Sequence, residues 1–211
     1  MHHTDATRNR TRQHGAAGLL LLAVVCLASA SASAQTYAIM PDRSQASYTV
    51  SEKVVGLSLP RDAVGVSKLV SGSVAFGDGG ALQAGSELRV DLRDLSSDQA
   101  RRDNFIKRNT LQTDTYPDAV LVPTTVSGLP WPLPQSGSAD IEVIGDLTVH
   151  GTTKTLTWTG TAGFDGQTVT IDLSTDVTFD DFALDRPTVG PILAVSDPIH
   201  LEVQAAFARA D

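Results

Sequence analysis

Residues 137–178 read GSADIEVIGDLTVHGTTKTLTWTGTAGFDGQTVTIDLSTDVT. Apolar side chains recur there with period two: Ile141, Val143, Leu147 and Val149, then Leu156, Trp158, Ala162 and Phe164, then Val169, Ile171 and Leu173. Thr, Ser, Asp and Glu fill most of the positions between. A strand sends successive side chains to opposite faces, so this period marks three half-buried strands. His150-Gly151 and Asp165-Gly166 are tight-turn dipeptides lying where the alternation lapses. The stretch is an antiparallel meander.

The same alternation continues on both sides. It runs through Val70, Gly72, Val74 and Phe76, then Leu88, Val90 and Leu92, and finally Leu201, Val203, Ala205 and Phe207. Further strands fit residues 47–53 and 119–126, while Asp78-Gly79-Gly80 and the Pro-rich residues 129–134 read as turns. Only residues 97–111 look helical, opened by Ser96 with Gln99 three positions on, in capping-box spacing. One short helix cannot cover the apolar faces of about eight strands. The sheet must therefore close on itself or split into a sandwich. Few breaks occur across residues 45–76, and 141–149 is a long run, which favours closure. The expected fold is all-β, a single eight-stranded antiparallel barrel with one short helix. Such a barrel has an interior just wide enough to be filled by side chains or to hold one slender ligand. Aromatics are only 5% of the chain, and the inward sets are mostly Val, Leu, Ile and Ala, so a cavity is expected.

Residues 1–34 read as a cleavable signal peptide. Arg8, Arg10 and Arg12 precede the apolar run GLLLLAVVCLA of residues 18–28, which is far short of the ~20 residues of a membrane-spanning helix. The small-residue string SASASA follows, placing cleavage after Ala34. The expected mature chain, 35–211, is one exported domain, periplasmic or extracellular, with no stable transmembrane anchor. The leader holds three arginines and Asp5, so the whole-chain charge of −8 becomes −10 without it. It also holds the single cysteine, Cys26, so the mature domain has no disulfide and depends on its core. The acidic balance argues against nucleic acid, which needs clustered Lys and Arg.

Catalytic motifs are absent: there is no HExxH, CxxC, GxSxG, P-loop or GxGxxG. His150 sits at a turn and His200 near a strand start, and their spacing makes no metal pair. Asp176, Asp180, Asp181 and Asp185 lack the DxDxDG pattern of a calcium loop and read as a solvated strand edge. No catalytic residue, metal ligand or cofactor is expected. The helical stretch gathers Arg101, Arg102, Lys107 and Arg108 in an otherwise acidic chain, with Asp103 available to pair with an arginine. It reads either as a solvated face with intrahelical ion pairs or as a polar mouth whose cations meet a ligand head group.

Several ordered stretches resemble the YceI-like family of exported polyisoprenoid- and lipid-binding proteins, over about residues 37–207. They are Arg102-Asp103 leading through Leu111 to Tyr116-Pro117-Asp118-Ala119; then Gly145 to Lys154 (GDLTVHGTTK) with Leu156 and Trp158; then Phe179, Asp181-Phe182 and Pro187; and the closing residues 193–202. The resemblance implies a lipocalin-like barrel enclosing a long isoprenoid chain, a polyisoprenoid or isoprenoid quinone. Leu111-Gln112 stand where many members carry a Phe pair, and Phe105 where a histidine is common, so the pocket near the helix is expected to have its own shape. The apolar lining expected for such a ligand is Phe76, Val90, Ile141, Val143, Leu147, Trp158 and Ile171. Phe105, Leu111 and Tyr116 are expected near the opening, with Arg102 at the head group. Ordinary core packing is the alternative for each. A competing function is an exported β-domain for adhesion or scaffolding that binds a protein or glycan partner through Trp131. Whether the chain dimerises is left open.

Overall fold

A computed structural model describes residues 34–56, 58–187 and 192–210. The expected leader lies outside these residues apart from Ala34. The strands are β1 (Gln35–Ile39), β2 (Gln45–Val54), β3 (Arg61–Ser67), β4 (Val70–Phe76), β5 (Glu87–Asp91), β6 (Asp118–Ser127), β7 (Ser136–Val149), β8 (Thr152–Asp165), β9 (Thr168–Val177) and β10 (Ile192–Arg209), with the helix α1 (Ala100–Phe105) between β5 and β6. They form one sheet in the order β1-β4-β5-β6-β7-β8-β9-β10, and β10 returns to β1. Eight strands thus close a ring, all antiparallel.

The two remaining segments, β2 and β3, arise because the first two staves of the barrel are each interrupted. A short helical turn, Pro41–Arg43, separates β1 from β2, and Lys68-Leu69 separate β3 from β4. Proline carries no N–H for a ladder and fixes φ, so Pro41 is suited to the break. β10 spans it: Phe207 to Arg209 pair with β1, while Ile192 to Gln204 pair with β2. The stitch is made by Ser44, whose hydroxyl donates to the Met40 carbonyl (2.8 Å) and accepts from the Ala206 amide (3.1 Å).

The meander has the expected form. β7 and β8 pair without interruption from Ser136↔Asp165 to Val149↔Thr152, and β9 pairs with β8 from Asp165↔Thr168 to Thr159↔Ser174. His150 (φ 50°) and Gly151 (φ 74°) make the first turn, both in the left-handed region that a tight hairpin of this hand requires. The inward residues Ile141, Val143, Leu147, Trp158, Ala162 and Leu173 are all buried, so the period-two pattern and the core coincide. Gly160 belongs to the same inward row. The Asp172 carbonyl oxygen of β9 would lie 1.9 Å from a Cβ there, so the close approach of the two backbones demands glycine.

The helical segment is shorter than residues 97–111 and is capped differently. Asp103 reaches back to accept from the Ser97 amide (2.9 Å) and the Ser97 hydroxyl, so it closes the first turn where Ser96 and Gln99 were expected to. After Phe105 the helix widens: the Leu111 amide donates to the Ile106 carbonyl, five residues back, at 2.8 Å. This wide turn, Ile106–Thr110, resembles the bulges that helices form where side chains must be redirected. The segment lies where the ring of strands is least complete. On its outer edge β3 makes only a two-bond bridge, between Val66 and Ser96 (2.8 and 2.9 Å). Phe105 packs against Val50, Ala63, Phe179 and Val195, which form a small second cluster beside the main core.

Candidate functional site

Among the described residues, two apolar cavities lie in the barrel interior. The larger, about 170 Å³, lies at the end carrying the β7–β8 turn, the β9–β10 connection and the wide helical turn. Its wall takes Val90 from β5, Ile106 and Leu111 from the helical segment, Leu147 and Val149 from β7, Trp158 from β8, and Phe179, Phe182 and Leu184 from the β9–β10 connection. The smaller, about 70 Å³, lies toward the other end, under Leu129 and Leu133 of the Pro-rich loop. Phe76, Ile141, Val143 and Ile171 line it. Trp158 stands at the boundary: it walls the larger cavity, while Val143, opposite it on β7, walls the smaller.

Eight of the sequence-derived residues therefore line these spaces: Val90, Leu111, Leu147 and Trp158 in one, Phe76, Ile141, Val143 and Ile171 in the other. Arg102, Phe105 and Tyr116 line neither. Phe105 belongs to the second cluster, and Tyr116 lies edge-on to His150 with ring centroids 4.6 Å apart. Arg102 is turned inward and is 3% exposed. Its Nη1 donates to the Glu52 carboxylate (3.3 and 3.4 Å), and its Nη2 donates to Asp98. Glu52, 1% exposed, also pairs with Arg61 across the β2–β3 ladder at 3.5 Å. Burial works against the Arg102 charge, but the Asp98 and Glu52 carboxylates outweigh it and hold its pKa above the ordinary arginine value. Beside this group, burial pushes the Tyr48 phenol up to about 12, with Arg102 pulling the other way.

Sequence reasoning named the cations of this cluster without their partner. Glu52 lies 50 residues before Arg102, and no local spacing links them. It also left out Tyr48, Val50, Leu184 and Ile199 from the larger cavity. Phe179 and Phe182, quoted only for the resemblance, turn out to be buried wall residues.

The other side chains of interest are satisfied on the surface. Asp181 sits in a short helical turn, Asp180–Phe182, where a strand edge was expected; it binds Lys154 (2.8 Å) and accepts from the Thr178 amide and hydroxyl (2.9 Å each). His200 pairs with Asp176 (2.7 Å). Trp131 is half-buried, its ring 5.4 Å from that of Phe76. Among the described residues no group of three or more His, Cys, Asp or Glu side chains is placed to hold a metal ion.

Residues 37–207 match the YceI-like domain family. The chain belongs to this family. Curated relatives include UPF0312 proteins of Pseudomonas putida, 32% identical over 111 residues, or 48% of this chain and 54% of theirs. The chain thus spans about half the length of the curated relatives it matches. Solved structures of the YceI-like fold superpose over most of it. A polyisoprenoid binding domain from Saccharophagus degradans, implicated in plant cell wall breakdown, has a TM-score of 0.63 at 13% identity, covering 82% of this chain and 98% of that one. BcnA of Burkholderia cenocepacia gives 0.59 at 19% identity, covering 80% and 98%. The Campylobacter jejuni YceI protein gives 0.57 at 17% identity, covering 75% and 91%. At such identities the likeness carries the YceI-like fold, a lipocalin-like barrel, and leaves the cargo to be argued from the site.

Proposed function

We propose that the protein binds one long apolar lipid of the isoprenoid type inside the barrel and acts as a carrier, without catalysis. The observation that carries this is the larger cavity: about 170 Å³ enclosed almost wholly by apolar side chains inside a closed sheet. Each CH₂ withdrawn from water there contributes roughly 0.8 kcal/mol, so one five-carbon isoprene unit contributes about 4 kcal/mol before ordering costs. Such walls measure girth and length and read little else. A relative in fold is described as a polyisoprenoid binding domain, which supports the same class of cargo. Trp131, the anchor an adhesive domain would present, leans on Phe76 inside the fold, so the carrier is the better-supported function.

An exported location, periplasmic or extracellular, suits a shielded path for an apolar molecule through water. It is supported by the character of residues 1–34. Native mass spectrometry of protein purified from its producing cells, followed by solvent extraction, tests both points. The expected spectrum shows a chain starting at Gln35 with a discrete apolar adduct that extraction removes. A chain retaining residues 1–34 would refute export. An adduct-free protein that also takes up no added isoprenoid quinone would refute the carrier. Ala119→Phe places a ring in the larger cavity from β6 and is expected to abolish the adduct while the far-UV circular dichroism stays that of the wild type.

A further inference from the structure

The exposed apolar side chains of this molecule are gathered in one place. Leu59 (77% exposed), Val55 (57%), Val64 and Leu69 all belong to the β2–β3 hairpin or the link that follows it. Among the described residues the only other large one is Val122 on β6. Single exposed hydrophobics need no explanation, but a group of them on one hairpin marks a contact surface. Val55 and Leu59 stand at its tip, beyond the ladder pair Glu52↔Arg61. β2 passes Tyr48 and Val50, which wall the larger cavity, before it reaches this tip, so the tip stands at the end of the barrel where that cavity lies. Arg102 and Phe105 hold the helical segment against the same hairpin, through Glu52 and Val50.

Charge says what covers this surface. The chain is acidic, yet Lys53, Lys68, Arg101 and Arg108 around the hairpin are exposed and make no ion pair among the described residues. The hairpin's own carboxylates are only Glu52, which is buried, and Asp62. Across the barrel the balance reverses. The outward positions of β7, β8 and β9 carry Asp140, Glu142, Asp146, Asp172 and Asp176, with no lysine or arginine. β8 lies four staves from β4 in either direction round the ring. An anionic surface therefore attracts one side of the molecule and repels the other. We propose that the β2–β3 hairpin and the exposed cations beside it dock on an anionic lipid bilayer. Val55 and Leu59 enter the interface, the cations meet head-group phosphates, and the larger cavity is held at the membrane end. Binding of this kind adds buried apolar area to attraction for anionic lipid. The surface does not depend on what the cavity holds: a protein that docks yet yields no adduct keeps this surface and loses the carrier.

Co-sedimentation of protein purified from its producing cells tests the proposal, using vesicles of phosphatidylcholine mixed with phosphatidylglycerol and vesicles of phosphatidylcholine alone. Binding to the mixed vesicles is expected, about tenfold weaker to the neutral ones, and weakened as salt rises from about 0.1 to about 0.5 M. Leu59→Ser is expected to lower binding to the mixed vesicles about tenfold, whereas Val122→Ser leaves it unchanged. Both sites are exposed, so neither substitution touches the core. Arg101→Gln combined with Arg108→Gln should weaken binding to the mixed vesicles and leave binding to the neutral ones as it was. No binding, binding indifferent to salt, or an equal loss for Leu59→Ser and Val122→Ser would overturn the proposal. So would a dimer in sedimentation velocity that Leu59→Ser dissolves, because the tip would then be covered by a second copy of the chain.

Discussion

Glu52 carries more of this molecule than its sequence surroundings suggest. It lies on the two-residue alternation of β2, but with Arg61 on β3 and Arg102 on α1 it forms a charge cluster whose inner pair, Glu52 and Arg102, is removed from water. Taking charges out of water costs several kcal/mol per ion, repaid only while each partner is present. Arg102→Met is expected to destabilise the fold by about 3 kcal/mol in urea unfolding, because it leaves Glu52 with Arg61 alone. Adding Glu52→Gln to that variant should recover a large part of the loss. A double variant no better than the sum of the two singles would show that the pair is not coupled. The sequence displayed the cations, since four basic residues in eight positions stand out in an acidic chain. Their use was hidden, because a partner 50 residues away leaves no local pattern.

Among the elements, the meander was legible and the broken staves were not. Alternation together with two turn dipeptides fixes β7, β8 and β9, because each turn there joins strands that pair directly. The interruption between β1 and β2 depends on how β10 registers against both, and that register lies some 160 residues away. Ser44→Ala tests the stitch: the Ala206 amide is left buried and unpaired, an expected loss of about 1–3 kcal/mol in equilibrium unfolding, whereas an exposed serine replaced the same way costs almost nothing. A second tie joins the start of β8 to the β9–β10 connection. There the Lys154 ammonium, with the Thr178 amide and hydroxyl, holds the Asp181 carboxyl at about 2, against the usual 3.8. A carboxylate depressed in the fold stabilises it fully above its unfolded pKa, and that contribution disappears as the pH falls from about 4 toward 2. Melting temperatures at about pH 5 and about pH 2.5 should therefore drop further for wild type than for Asp181→Asn, with the difference reduced by salt because Lys154 is half exposed. Parallel drops would mean that the tie adds no stability.

At the scale of the whole molecule, closure followed from counting faces: many half-apolar strands with one short helix leave a barrel as the economical burial. Where that barrel stays hollow did not follow. Phe164 and Trp158 share one strand, one face and one period, yet only the second walls a cavity, because hollowness depends on what the opposite staves contribute. The ring also differs in kind around its circumference. Elsewhere neighbouring staves are joined by ladders, whereas beyond the Val66–Ser96 bridge the edge of β3 meets the helical segment through side chains, and Arg102 fastens that segment to Glu52. There the wall rests on side chains in place of a ladder, with Phe105 packed against Val50 and Ala63, and the arginine that looked like a reader of cargo is one of the fastenings of that wall.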